Sequence, residues 1–502
     1  MTTTIGVLGG GISGLTTAFY LARYLPTSHP AKILLFEKSQ RLGGWIKSDS
    51  VEIPSPANDA TGSCSVVLEA GPRTLRPRSL DMLELINLLD LESSLILIPN
   101  SHPAARNRYV HFPETGLTRL PSGFFSLLTS QISNRRSLGT LLPSTLAEFF
   151  KPPNRPSTMT DESFEDFISR RFGPEFARRF GSPLIHGIYA ADSRKLSMRA
   201  TFGQVWDAEE RGRGSVMKGI FRGMSRASRL RSEYELGSMS EIMRGVSVYT
   251  FRGGMETIVQ SLEKFLKKDP RVEIRTDGCI RAVRPSEHHN ILLETSAGTK
   301  LVSNLVSTLP LSQVSNILAP THQVPHLLAN PSSTVHVVNL VFPPGDTPIH
   351  PPGFGYLIPR PELGYEWAGN PVLGCVFDSV TSSSHKPTVV TLMLGGPFPI
   401  QSTPLSLDVI LSLLATHLGH KCLPEPISYR YHIQRDCIPT PLVGHLERIS
   451  EMRQVTERTW GGRLQIIGSG VGGVSLGDCV RDARLAAINV IQTLERVGSR
   501  SK

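Results

Sequence analysis

Apolar and polar positions along this chain follow two rhythms. Short unbroken apolar runs bounded by glycine, proline and polar clusters read as buried strands, while apolar positions recurring every three and four residues read as amphipathic helices. Ile5 to Leu8 is the first run; a helical pattern from Leu15 to Leu25 follows it, and a second run, Lys32 to Phe36, follows that. Val66 to Glu69 reads as a strand and Pro77 to Leu89 as a helix. Residues 91 to 215 read as mostly helical, with Ser163 and Asp166 spaced as a capping box for a helix through Phe172. Beyond residue 250 the rhythm shortens. A helix opens at Gly253-Gly254-Met255 and runs through Lys267; Val272 to Arg275, Ile291 to Thr295 and Leu305 to Thr308 read as strands. Val335 to Phe342, Val372 to Phe377 and Val389 to Leu394 form a second sheet candidate, followed by an apolar helix from Ser406 to Leu418. The chain closes with a strand, Leu464 to Ile467, a glycine-rich turn, and a helix over 478 to 494. The class is α/β, α+β overall.

The first strand runs into Gly9, Gly11 and Gly14, the G-x-G-x-x-G spacing at a strand-to-helix turn. Gly9 permits the tight turn, Gly11 lets a pyrophosphate approach the backbone, and Gly14 lets the helix pack on the strand. The helix start then offers unpaired N–H groups and the positive end of its dipole to phosphates. The second strand ends at Glu37, 37 − 14 = 23 residues past the last glycine, where an acidic side chain can bind a ribose hydroxyl. Arg41-Leu42-Gly43-Gly44-Trp45 follows at once, a second glycine pair that a nicotinamide-only dehydrogenase does not need.

At 502 residues the chain has length for two or three domains. Six scattered cysteines without C-x-x-C spacing suggest reduced thiols rather than a disulfide framework or a zinc site, so no metal is expected. The net charge, 53 − 43 = +10, suits an anionic substrate or lipid; no nucleic-acid recognition module is visible. The basic excess is concentrated at Arg211, Arg213, Lys218, Arg222, Arg226, Arg229 and Arg231, in a stretch with no acidic residue. It reads either as a solvated segment or as a contact for anionic headgroups, where each basic residue near the surface contributes about 1 kcal/mol. The first strand begins too early to leave room for a signal peptide, and no run of about 18 apolar residues suggests a membrane-crossing helix.

With these segments in place, the chain resembles the protoporphyrinogen oxidase family of the flavin amine oxidase superfamily nearly end to end. The resemblance is carried by Val7 to Leu15, Arg41 to Trp45, Glu69-Ala70-Gly71-Pro72-Arg73, His102 to Arg108, Lys195 to Arg199, the Gly-Phe-Gly-x-Leu segment at 353 to 357, and Gly472 to Val480. It implies a Rossmann-type FAD-binding domain assembled from 1–90, 245–310 and 430–502, and a mainly helical membrane-binding domain over 91–215. A basic connection over 216–244 and a mixed-sheet substrate-binding domain over 311–429 complete it. The implied activity is oxygen-dependent, six-electron oxidation of protoporphyrinogen IX with release of hydrogen peroxide, in haem biosynthesis at the mitochondrial inner membrane as a peripheral protein. The alternative is another flavin-dependent amine oxidase or desaturase. The resemblance leaves open a homodimer and contact with the next enzyme of haem synthesis.

For FAD, the resemblance implicates Gly9, Gly10, Gly11, Ile12, Ser13 and Gly14, then Glu37, Lys38, Trp45, Gly71, Pro72, Arg73, Thr74, Ile280, Ser469, Val474, Ser475 and Leu476. For substrate it implicates Arg108, whose guanidinium suits a propionate, together with Phe354, Leu357, Met393 and Gly187 around the apolar macrocycle. No acid–base pair is expected, and His186 is read as structural. An amine oxidase would need an aromatic cage, for which Trp460, Tyr429 and Tyr431 are available. The chain departs from its relatives at Ser469-Gly470-Val471 and in a longer Pro54 to Ser65 insertion.

Overall fold

The computed structural model describes residues 3–26, 31–54, 63–121, 138–139, 141–223, 233–276, 278–286, 290–367, 369–379, 386–400 and 403–500. The strands, in chain order, are β1 Thr3–Leu8, β2 Ala31–Phe36, β3 Ser48–Pro54, β4 Ser63–Glu69, β5 Leu95–Pro99, β6 Tyr109–Phe112 and β7 Gly116–Arg119. They continue as β8 Val246–Phe251, β9 Val272–Arg275, β10 Ile280–Pro285, β11 Ile291–Thr295, β12 Gly298–Val302 and β13 Asn304–Ser307. The last are β14 Ser332–Phe342, β15 Gly355–Leu357, β16 Val372–Phe377, β17 Thr388–Gly395, β18 Ser428–Pro439 and β19 Leu464–Ile466.

A five-stranded parallel sheet in the order β19-β13-β1-β2-β9 organises one end of the molecule. Both faces are covered, which is why its strands read as continuous apolar runs. Ile5, Val7, Ile33, Leu35 and Val306 point into a core shared with helix α1 (Ile12–Tyr24) and the helices Glu256–Lys268 and Leu476–Arg500. Leu8, Leu34, Phe36 and Leu305 alternate to the other face, against β10–β12 and the end of the His445–Trp460 helix.

A second sheet, β18-β14-β17-β16-β15-β6-β7, is antiparallel except for the β15–β6 pair. Its register sends Val338, Leu340 and Phe342 to one face, against Ile410 and Leu414 of the Leu407–Leu418 helix. The opposite face turns toward the first sheet: Val341 packs on Ile53 and Leu68 of the β3–β4 hairpin, and Asn339 Nδ2 donates to the Glu69 carbonyl at 3.1 Å.

The third part is helical. Ser163 caps the Phe164–Phe172 helix through its hydroxyl, as the box spacing predicts. Glu148, on the Leu141–Phe150 helix, and Arg171 are both fully buried and bonded to each other at 2.8 Å. Glu148 also accepts from the Val216 N–H at 2.7 Å and the Ser215 hydroxyl at 2.8 Å, so one carboxylate fixes the start of the Val216–Gly223 helix. Arg170 joins Glu162 and Glu209, and Arg155 bridges Glu209 and Glu210 while lying 3.7 Å over the Trp206 ring. A Cβ on Gly219 would fall 1.6 Å from the Ala208 carbonyl oxygen, so glycine is what allows the Gly203–Arg211 and Val216–Gly223 helices to touch.

Two sequence expectations change. Residues 91 to 119, expected within a helical stretch, hold β5, β6 and β7; β5 pairs β8, and β6 joins the seven-stranded sheet. Pro54 and Ser63 to Ser65, expected in a surface loop, are strand residues of the paired β3 and β4. Residues 55–62, and Arg226, Arg229 and Arg231 of the basic stretch, lie outside the described residues.

Candidate active site

Gly9 holds a φ of +99°, the left-handed turn that leads β1 into α1. A Cβ on Gly14 would fall 1.8 Å from the Gly9 carbonyl oxygen, so helix and turn are in backbone contact. Gly11 is different: a Cβ there would meet nothing within 4 Å. Gly11 caps α1 without a side-chain acceptor, and the N–H groups of Ile12, Ser13 and Gly14, the first donors of that helix, have no partner among the described residues. The Glu37 carboxylate accepts from the Gly10 N–H at 2.7 Å and from Ser39 at 2.9 Å, tying the end of β2 to the turn. Lys38 is exposed beside it, and Gly278 donates its N–H to the Glu37 carbonyl at 2.9 Å, which brings Ile280 to the same place.

The 41–46 loop closes over the turn. Gly43 donates to the Gly10 carbonyl at 2.8 Å, and the Arg41 guanidinium gathers the carbonyls of Leu42, Gly44 and Ile46. Trp45 is 37% exposed, and its carbonyl lies where a Cβ on Gly71 would stand, at 2.4 Å. The chain then passes Pro72 to Arg73 and Thr74. Arg73 is buried and clamps Asp378, just past β16, with Nη1 at 3.0 and 3.1 Å from the two carboxylate oxygens. Its Nη2 is buried with no partner among the described residues, as is the Oδ1 of Asn339. Asp378 accepts in turn from Thr391 at 2.5 Å, and Asn339 Nδ2 donates to the Thr391 hydroxyl at 2.7 Å. Behind this junction burial pushes the Glu69 carboxyl up to about 7, although it accepts from the Met255 N–H and the Ser48 hydroxyl.

These features fit a dinucleotide. The open cradle at Gly11 and the free helix N–H groups suit a pyrophosphate. The orphaned Arg73 Nη2 is a donor without an acceptor beside Gly71-Pro72, in the segment expected along the isoalloxazine. At the far end, Ser469 follows Gly468, whose Cβ position lies 3.4 Å from the Thr308 carbonyl at the end of β13. The Ser475 hydroxyl donates to Asp478 at 2.6 Å and accepts from its N–H at 3.1 Å, so it caps the last helix. Leu476 packs into the core beneath α1, and Val474 packs against the helical part.

Of the residues expected around substrate, Leu357 and Met393 fall on the face of the second sheet that turns toward the first. Leu357 pairs with Gly374, Gly374 with Met393, and Met393 with Val337, one row across β15, β16, β17 and β14. Such a row shares a face, and Gly374 leaves bare backbone between the Leu357 and Met393 side chains. Gly187 lies over this row: a Cβ there would be 3.0 Å from Leu357 Cδ2. The Ser182–Tyr189 helix that carries it enters from a π-helical turn at Ala177–Gly181, an irregularity common at functional sites. Phe354 donates its N–H to the Asn107 carbonyl at 2.9 Å, and Asn107 Nδ2 donates to the Pro352 carbonyl at 2.7 Å, so Arg108 is held beside the Phe354 turn. Arg108 is exposed, and its guanidinium makes no hydrogen bond or ion pair among the described residues.

His186 is no base. Burial lowers its pKa to about 4, and both ring nitrogens are engaged, by the Ile358 carbonyl at 2.7 Å and the Tyr365 hydroxyl at 2.9 Å. The aromatic side chains available for an amine cage are not brought together: Trp460 is in the core beside Leu464, Tyr429 is 46% exposed, and Tyr431 bonds His336. Sequence reading missed Asp378, Asn339 and Thr391, which nothing but long-range pairing connects to Arg73.

The family model described as flavin containing amine oxidoreductase matches residues 12–491. The chain belongs to that family. FAD is therefore its cofactor, and the chain is an oxidoreductase. The protoporphyrinogen oxidase of Schizosaccharomyces pombe is 32% identical, with 96% of this chain and 98% of that one covered. The protoporphyrinogen oxidase of Homo sapiens is 31% identical, with 98% of each covered. Within the flavin-containing amine oxidoreductases the chain thus belongs with the protoporphyrinogen oxidases. A crystal structure of an Exiguobacterium sp. 255-15 protein, bearing a provisional protoporphyrinogen oxidase name, superposes with a TM-score of 0.74 at 21% identity, over 98% of this chain and 99% of that one. That likeness shows the shared fold.

Proposed function

We propose that this protein oxidises protoporphyrinogen IX to protoporphyrin IX in haem biosynthesis, with FAD as cofactor, oxygen as acceptor and hydrogen peroxide as by-product. The observation that carries the reading is the near full-length likeness to the protoporphyrinogen oxidases of Schizosaccharomyces pombe and Homo sapiens, joined to the Leu357–Gly374–Met393 row on the sheet face that turns toward the dinucleotide end. Bound FAD supplies the hydride acceptor. The chain's own part is placement. Leu357, Met393 and Phe354 offer apolar surface to a macrocycle, and Arg108 meets a propionate. With FAD bound, the Ile12, Ser13 and Gly14 N–H groups would hold the pyrophosphate and Glu37 the ribose, and Arg73, Trp45, Thr74, Lys38, Ile280, Ser469, Val474, Ser475 and Leu476 would complete the cofactor's surroundings. The chain's contribution to the reaction is position and electrostatics.

The test is aerobic incubation of the purified flavoprotein with protoporphyrinogen IX, following porphyrin fluorescence and peroxide together. We expect both to rise above the non-enzymatic background. Absence of either, or turnover of a polyamine instead, overturns the reading.

We further propose that the helical part meets a membrane surface peripherally, at the mitochondrial inner membrane. Among the described residues no helix is long and apolar enough to cross a bilayer. Support comes from Phe150 and Phe221, exposed by 87% and 62%, with Leu146 and Ile220 beside them and Lys218 and Arg222 on the same short helix. Phe149 and Phe221 rings lie 6.0 Å apart, so the two helices present one apolar face. Replacing Phe150 and Phe221 by Asp is expected to move the protein from sedimenting anionic liposomes to the supernatant at low salt; equal sedimentation of both forms refutes the proposal.

A further inference from the structure

A cavity of about 560 Å³ opens where β14 begins and where β17 and β18 end. Irregularities of the sheet make room for it. The pairing of β14 with β18 slips between Ser333 and Val335, and β17 runs into Gly395 and Gly396, at φ +96° and +61°, which turn the chain off the sheet. A Cβ on Gly396 would stand 2.4 Å from the Ala190 carbonyl oxygen, so the helical part closes one side. Tyr365 and Phe398 line the cavity and pack in one cluster with Val337 and Met393, so a layer of side chains separates it from the substrate row. None of the described residues expected around FAD or substrate lines it. Its volume lies within the roughly 300–1,000 Å³ of small-molecule sites.

The polar groups of this cavity are mostly donors. His336, fully buried, lines it; its Nδ1 meets the Tyr431 hydroxyl at 2.8 Å, and its Nε2 has no partner among the described residues. The Tyr431 oxygen already accepts from the Leu405 N–H at 3.2 Å, so its own proton goes to Nδ1 and the ring proton sits on Nε2. Burial first, then the Arg435 charge, lower the His336 pKa, which keeps the ring neutral. A buried N–H without an acceptor is unfavourable and calls for one. Ser332, Ser333 and Thr440 line the same cavity, and their hydroxyls make no hydrogen bond among the described residues. Exposed Lys195 and Arg435 bring positive charge to the mouth, and Lys195 makes no ion pair among the described residues. Two carboxylates also line the cavity, and both are spent on Arg194. Asp192 pairs with it at 2.8 Å, and hydrogen bonding to Asp192, with a smaller pull from Glu366, raises the Arg194 pKa.

A ring N–H with no acceptor, three hydroxyls and a lysine ammonium call for an acceptor-rich, negatively charged group. The aromatic wall of Tyr365 and Phe398 calls for an apolar body attached to it. We infer that this cavity is a second ligand site, separate from the flavin and substrate sites, and that it binds a small organic oxyanion, a phosphate ester or a carboxylate. The charged group meets His336 Nε2–H and Lys195, and the body lies against Phe398 and Tyr365.

The experiment is calorimetric titration of the flavin-loaded protein, so that the dinucleotide site is filled, with phenyl phosphate, benzoate and the uncharged benzyl alcohol. We expect saturable one-to-one binding of at least one anion and none of the alcohol; the tighter anion names the charged group. A charge-assisted hydrogen bond is worth about tenfold in affinity. Lys195→Gln and His336→Phe are each expected to weaken the anion about tenfold, while Arg108→Gln leaves its affinity at the wild-type value. Lys195 is exposed, so its variant decides the matter should the core change at His336 not fold. Three results overturn the inference: no saturable binding of either anion, an affinity unchanged in Lys195→Gln, or an affinity lost in Arg108→Gln, which would put the anion at the substrate row. Benzyl alcohol binding as tightly as the anions overturns it as well, because the charged group would then contribute nothing.

Discussion

The dinucleotide end and the helical part solve opposite problems. At the glycine turn the essential feature is missing side chains: Gly14 touches the Gly9 carbonyl, Gly11 faces open space, and the α1 donors are left bare for a ligand. In the helical part the essential feature is charge taken out of water and saturated. Arg171 and Glu148 are fully buried, and Arg155, Arg170, Glu162 and Glu209 extend the same web. The first arrangement reserves hydrogen-bonding capacity for a cofactor; the second leaves none over. That difference places function in the bare region and rigidity in the charged one. A buried pair costs much to desolvate and is weak evidence of net stability, but it is costly to break.

This contrast can be broken most severely in the charged web. Arg171→Ala strands the Glu148 carboxylate in the core and is expected to lower stability by about 3–5 kcal/mol, read as a shift of the urea unfolding midpoint. The paired change of Arg171 to Met with Glu148 to Leu should recover part of that loss; no loss in the single variant would show the pair to be dispensable. At the bare end, Gly14→Val is expected to remove flavin, read as the loss of visible absorbance relative to protein absorbance. Its destabilisation should be smaller, about 1–3 kcal/mol, from overpacking against Gly9. Flavin retained at full occupancy would show that the helix can retreat from the turn.

The smallest effect sharpens the comparison through pH. Burial lowers His186 to about 4, His417 to about 3 and His445 to about 4, so all three are neutral in the fold. Unfolding lets each bind a proton near its ordinary 6.5, so their contribution is present above pH 6.5 and is lost as pH falls toward 4. Glu69 has the opposite sign. Its folded pKa, raised to about 7, favours the fold below pH 4.5, and that contribution is lost as pH rises through 7. The unfolding midpoint of the apoprotein is therefore expected to fall between pH 7.5 and 5, and to fall more steeply in Glu69→Gln. Parallel slopes for the two proteins would remove Glu69 from the account.

Local chemistry was legible in the sequence. The glycine turn and the Ser163 cap are each set by residues within reach of one another, and the structure shows both, with Gly9 left-handed and the Ser163 hydroxyl accepting from the Asp166 N–H. What was not legible depends on partners far along the chain. β6 is four residues long and joins its sheet through Tyr109 paired with Tyr356; β5 waits for β8. Runs so short carry no period of their own, and they were read into a helical stretch.

The strand order of the parallel sheet has a temporal consequence. β1 lies between β2, only 31 residues from the start, and β13, near residue 304; β19 and the helix under α1 arrive after residue 460. During synthesis the glycine turn leaves the ribosome well ahead of β19 and the helix that support it. Until those segments emerge, the nascent chain carries a phosphate-binding turn without its completed floor.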